Sequence, residues 1–116
     1  MELFRFDREV GREIKAFNST NFIMSRIGHL EEVHLGLMHI GENGVVGYHQ
    51  AVTPQMFLVV AGEGWVRGEE QERTPIRAGQ AAFWQTGEWH ESGSLHGMTV
   101  IVIESSSLDS TLWDQL

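Results

Sequence analysis

Cysteine is absent from this sequence, which excludes a disulfide framework, a thiolate metal site and a cysteine nucleophile together. The same absence fits a reducing compartment, and a cytoplasmic location is the expectation. Positive charge is scarce: 8 Lys and Arg stand against 16 Asp and Glu, a formal net charge of −8, and no basic run interrupts the acidic background. Such a chain is repelled by duplex nucleic acid and by anionic lipid, so neither nucleic acid nor membrane is an expected partner. Long apolar runs are missing too. The longest, Met56 to Ala61, is far too short to cross a bilayer. The opening Met1 to Asp7 alternates polar with apolar residues where a secretory signal needs a continuous apolar stretch. No glycine-rich stretch has the order of a phosphate-binding loop, and no serine sits in a nucleophile elbow.

What is present is an ordinary globular chain. Its 116 residues, 41% hydrophobic and 21% charged, suffice for one domain over 1–116 with a single core. Short stretches rich in Val, Ile, Phe and Trp recur, each closed by a glycine-bearing turn, and this rhythm predicts an all-β sandwich or barrel. Strands are expected at Leu3 to Phe6, Phe22 to Ile27, Val33 to Ile40, Val45 to His49, Met56 to Val60 and Gly64 to Arg67. Others are expected at Arg73 to Ile76, Ala81 to Trp84, His90 to Ser92 and Met98 to Glu104. The turns between them include Gly41 to Gly44, Ala61 to Gly64, Arg77 to Gly79 and Gln85 to Glu88, which supply residues tolerant of positive φ. Arg8 to Ala16 reads as a short helix or an irregular arm. Ser105 to Ser107 is expected to cap a short helix from Leu108 whose stripe is Leu108, Leu112, Trp113 and Leu116.

The residues with chemical capacity gather around two histidines. His49 and Ala51 lie two apart at a strand end and share a face, as do Gln55, Phe57 and Val59. Six residues separate Gln55 from Gly62. Further on, Gly79, Gly87 and His90 punctuate a second stretch, with Gln85 before the turn and Ser94 at the end of the next strand.

In these two stretches the chain resembles the cupin superfamily, over the core region 44–94. The first cupin motif runs Gly, five residues, His-x-His, three or four residues, Glu, six residues, Gly. Here His49 and Gly62 are kept, Gly44 stands one residue nearer the histidine, Ala51 occupies the second His position and Gln55 the Glu position. The second motif runs Gly, five residues, Pro-x-Gly, two residues, His, three residues, Asn. Gly79, Gly87 and His90 match it in register, with Gln85 for Pro and Ser94 for Asn. Pro54 to Val60 and Gly87 to Gly93 are similar to stretches of small single-domain cupins of unassigned function.

The resemblance implies a cupin-like antiparallel β-barrel, a double-stranded β-helix or jelly roll, with short terminal segments. It also implies a metal site, which in cupins generally holds Fe, Mn, Ni or Zn with three His and one Glu. In this chain the set reduces to His49, Gln55 and His90, with His39 and Glu88 as candidate further donors. Without metal, the same two imidazoles and amide make a polar triad able to orient a small molecule, with Phe57 as pocket wall. His29, His34 and His96 read as surface or structural residues. Glu69 to Arg73 reads as a solvated hairpin tip.

The functional expectation is a small-molecule-binding cupin domain with an atypical divalent-metal site. One alternative is a metal-dependent oxygenase or isomerase using His49, Gln55 and His90. Another is a dimeric scaffold with a vestigial pocket, which predicts a cavity filled by aromatic side chains. A homodimer is expected from the resemblance, with the alternating Leu3 to Phe6 segment as the candidate pairing edge.

Overall fold

The computed structural model describes residues 1–25, 31–111 and 113–116, and at Phe17 the backbone alone. In chain order its strands are β1 (Glu2–Arg5), β2 (Arg12–Glu13), β3 (Ile23–Met24), β4 (His34–Ile40), β5 (Gly44–Gln50) and β6 (Gln55–Arg67), followed by β7 (Thr74–Arg77), β8 (Gln80–Trp84), β9 (Trp89–Ser94), β10 (Met98–Glu104) and β11 (Asp114–Gln115). All pairings among the described residues are antiparallel. The main path runs β11-β1-β8-β6-β10-β4, and a second set joins β5 to β9 and both β7 and β9 to β6. This is the predicted all-β jelly roll, left open between β4 and β5, which do not pair with each other.

β6 joins the two sets. Its first half, Gln55 to Leu58, pairs with β8 and β10, while Glu63 to Arg67 pairs with β7 and β9. The bend between the halves falls where the register with β10 slips past Val60 and where Gly62 takes φ +79°. The expected turn at Ala61 to Gly64 is therefore a bulged corner within one strand. A bulge bends a strand and re-aims it without ending its pairing, and glycine adopts positive φ at little cost.

The continuous apolar run beginning at Met56 has a structural cause. Phe57 and Val59 point into an inner core with Trp84, Ala82, Val100 and Val102, while Met56 and Leu58 point to a second core on the opposite face with Phe4 and Phe83. A strand covered on both faces has no reason to alternate. The second core is closed by the C-terminal segment, whose Leu108 and Trp113 are buried in it. Trp113 tilts against Phe4 at 6.1 Å and meets Phe6 edge-on at 6.4 Å between ring centroids.

Several terminal expectations are corrected. Among the described residues no helix forms from Leu108, and β11 pairs with β1. Leu116 is exposed, and Leu112 lies outside the described residues. Insertion of Leu108 and Trp113 into the gap beside Phe4 outweighs the weak propensity of so short a helix. Arg8 to Ala16 is an arm, with a 3-10 turn at Arg8–Val10 capped by the Asp7 carboxylate, then β2. Strand β3 covers Ile23–Met24 of the predicted Phe22 to Ile27, whose end lies outside the described residues. Leu3 to Phe6 is not a free edge, because β1 is held between β8 and β11; among the described residues the long edges with a single partner are β4 and β5.

Candidate functional site

His49 and His90 are direct partners across β5 and β9. Opposite partners share a face, and an irregularity in β5 decides that His49 is the residue opposite His90. Val46 stands opposite Ser92 and His49 opposite His90, so three steps along β5 match two along β9. The extra residue is a β-bulge at Gly47 and Tyr48. It places Val46 and His49, three apart in sequence, on one wall of the same cavity. Tyr48 is turned outward, where it lies beside Trp89 at 5.3 Å and under the Arg67 guanidinium at 4.3 Å.

The cavity has a volume of about 370 Å³ and lies between the two sets of strands. His49, Gln55, Phe57 and His90, the residues singled out from the sequence, all line it. It is not filled by aromatic rings, as a vestigial pocket would be. Gln55 and Phe57 arrive on the inward face of β6, and each belongs to a row across the sheet. Trp84, Gln55, Glu104 and His34 are successive partners across β8, β6, β10 and β4; Ala82, Phe57, Val102 and Gly36 form the next row inward. The polar row and the His49–His90 pair thus face one another across the cavity.

Two candidates do not join this site. His39 stands opposite Thr99 and does not line the cavity, whereas His34, Gly36 and Met38 do. Alternation on β4 puts His39 on the other face. Glu88 precedes the strand, next to Gly87 at φ +89°, and its carboxylate accepts from the Met1 ammonium at 2.6 Å and from the Gln85 amide at 2.9 Å. Burial alone would raise the Glu88 carboxyl, but these donors hold it below its ordinary value. It is committed to tying the N-terminus to the turn. Conversely, His34, Ser92 and Glu104 line the cavity without having been singled out as site residues. The period of two along β4, β9 and β10 was a usable signal, once it was known which face turns inward.

The hydrogen bonds to the imidazoles set their chemistry. His49 Nδ1 lies 2.6 Å from Gly47 O, and His90 Nδ1 lies 3.4 Å from Glu88 O. A carbonyl oxygen only accepts, so each Nδ1 carries the proton and, in the neutral ring, each Nε2 presents a lone pair. His90 is 3% exposed, and its Nε2 is buried with no hydrogen-bond partner among the described residues. Burial, then the neighbouring His49, push the His90 pKa below its ordinary value, which keeps that ring neutral at neutral pH.

These donors do not fit a resident metal of the three-His, one-Glu kind. Ala51 brings a methyl group to the second His position and is buried among Phe57 and Trp84, while Gln55 brings an amide in place of a carboxylate. Among the described residues no group of three or more His, Cys, Asp or Glu is close enough to hold an ion. What remains is a pair of imidazole acceptors with an amide nearby.

No family model matches the chain, and no curated protein matches it in sequence. Solved structures do. A cupin-like protein of Thermotoga maritima superposes with a TM-score of 0.61 at 13% identity, over 65% of this chain and 58% of that one. A cupin family protein of double-stranded β-helix fold from Methanocaldococcus jannaschii gives 0.59 at 12% identity, over 63% and 69%. A predicted oxalate decarboxylase of Thermotoga maritima gives 0.55 at 21% identity, over 60% and 62%. At these identities the likeness is one of architecture. With the open jelly roll and its inward histidine pair, it establishes that this chain has the cupin fold.

Proposed function

We propose that this chain is a small-molecule-binding cupin domain whose ligand site is the cavity of His49, Gln55, Phe57 and His90, with a divalent ion held there weakly and not as a resident cofactor. The observation that carries the proposal is the convergence of His49, Gln55, Phe57 and His90 on one cavity of about 370 Å³. Phe57, Val46 and Val102 supply the apolar remainder of the wall. The volume falls within the range of about 300–1,000 Å³ common for small-molecule pockets. The proposal includes a cytoplasmic location and a homodimer, for which sedimentation of the purified chain is the direct check.

Thermal melts against a panel of amines, alcohols, phenols, sugars and carboxylic acids test the reading. At least one class should raise the melting temperature of the wild type and not that of Gln55→Ala. A panel without effect would sink it.

A second reading, a metal-dependent oxygenase or isomerase, is favoured by the two Nε2 lone pairs. Metal analysis of protein purified without chelator separates the two. Stoichiometric metal that disappears in both His49→Ala and His90→Ala supports the enzyme; weak, substoichiometric uptake of Fe, Mn, Ni or Zn by the apo protein supports the binding domain.

A further inference from the structure

We propose that two copies of this chain associate along β4, paired antiparallel about a two-fold axis at Leu35; this rests on the reading of the chain as a homodimer and names its interface. The outer face of the sheet carries the argument. Phe4, Ala81, Leu58, Ile101 and Leu37 are successive partners across β1, β8, β6, β10 and β4, so one apolar row runs the width of the sheet. Leu108 and Trp113 cover it at the β1 end. At the β4 end Leu35 is 68% and Leu37 57% exposed, and Val33, just ahead of the strand, is 42% exposed. Contiguous exposed apolar surface of this kind marks a contact site. The backbone of β4 is as open as its side chains. Among the described residues β10 is its only partner, and that register holds without a shift from His34 to Ile40. Proteins protect such an edge with Lys, Pro, inward charge or a bulge. β5, the other long edge, has its bulge between Val46 and His49; β4 has no bulge, no proline and no Lys, Arg, Asp or Glu.

A second copy is the occupant because the strand and its lead-in are complementary to themselves. An axis at Leu35 sets Leu35 against the partner's Leu35, Val33 against the partner's Leu37 and Glu31 against the partner's His39. Opposite residues share a face, so the apolar side chains meet in the middle and each acidic end meets an imidazole end. Glu31 and His39 are both exposed, and Ser105 Oγ donates to Glu32 O, which holds the lead-in beside the end of β10. Glu32 falls opposite the partner's Met38. Two chains of formal charge −8 thus approach along a line where no carboxylate opposes another. Such a contact is isologous and closes at two copies. It also reaches the cavity, one lip of which is lined by His34, Leu35, Gly36 and Met38. The same axis puts the partner's His34 opposite Gly36, where a Cβ would meet nothing within 4 Å. Each copy thereby adds an imidazole to the rim of the other's cavity.

Substitutions at position 35 of the full chain test this. Leu35→Lys sets like charges against each other on the axis and removes an apolar contact from each copy. It should weaken the dimer about a hundredfold in sedimentation equilibrium, about tenfold per copy. Leu95→Lys, at a residue 62% exposed in the turn between β9 and β10, should leave the dimer unchanged. Because the chain has no cysteine, Leu35→Cys introduces one thiol per copy, and mild oxidation should join the two across the axis; Leu95→Cys should give no covalent dimer. A wild type that sediments as a monomer at every concentration overturns both the homodimer and this interface. A dimer that survives Leu35→Lys, an equal loss in Leu95→Lys, or a Leu35→Cys that does not cross-link overturns the interface and leaves the homodimer standing. The cross-link decides the matter where Leu35→Lys fails to fold.

Discussion

Trp84 lies nearly flat on His90, with ring centroids 4.2 Å and planes 19° apart, while His49 meets the same imidazole edge-on at 4.4 Å. The imidazole is thus gripped on two sides and unsatisfied at one atom. Such a group is positioned at a cost to stability, as functional groups often are.

His90→Phe should keep the stack on Trp84 and remove the orphaned nitrogen. Stability should rise by about 1 kcal/mol, seen as a gain of several degrees in melting temperature, with loss of binding by any probe that uses the imidazole. A melting temperature well below wild type would show that Nε2 has a partner in solution.

Stability should fall with acidification through the His90 titration. Burial and His49 hold the folded-state pKa below the ordinary 6.5, so below about pH 6.5 the unfolded chain binds more protons than the folded one. The full contribution is present above that pH and is lost progressively as pH drops towards the folded-state value. Urea midpoints between about pH 7.5 and 5 should decline in the wild type and decline less in His90→Gln. Parallel slopes would sink the assignment.

Ala51→His restores an imidazole where the cupin pattern has one. Ala51 is 5% exposed within the inner core, so the apo variant should lose about 1–3 kcal/mol through overpacking. Zinc or nickel should then recover a part of the loss, read as a metal-dependent rise in melting temperature absent from the wild type. No metal-dependent rise in the variant would mean that position 51 does not look onto the His49–His90 pair.

Glycines on the two sheets should respond oppositely to alanine. A Cβ at Gly93 would sit 2.5 Å from the Trp65 ring and 2.9 Å from Gly44 O, whereas one at Gly36 meets nothing within 4 Å. Gly93→Ala should cost upwards of about 2 kcal/mol by forcing Trp65 and the β5 backbone apart. Gly36→Ala should be neutral or stabilising by about 0.5 kcal/mol. Because Gly36 lines the cavity, it should still weaken ligand binding. Chemical denaturation of the two variants checks the contrast.

The all-β rhythm, nine of the eleven described strands and the four lining residues His49, Gln55, Phe57 and His90 were legible in the sequence. Glycine-bearing turns and period-two faces are local properties, and motif spacing carries the pairing of two distant segments. Which histidine of β4 faces inward was not local. His34 and His39 sit on opposite faces, and alternation says which residues share a face without saying which face is covered. That was decided by the packing of β10 and β6 beside β4. The bulge at Gly47 and Tyr48, which puts His49 beside Val46, likewise exists only in the register of β5 against β9. Leu108 and Trp113 resemble a helical stripe until Phe4 and Phe83 offer them a surface to bury. The sequence by itself determined the residue types and their local periodicity. Tertiary structure decided phase, because phase depends on what lies opposite, and that is where His90 acquired an acceptor without a donor.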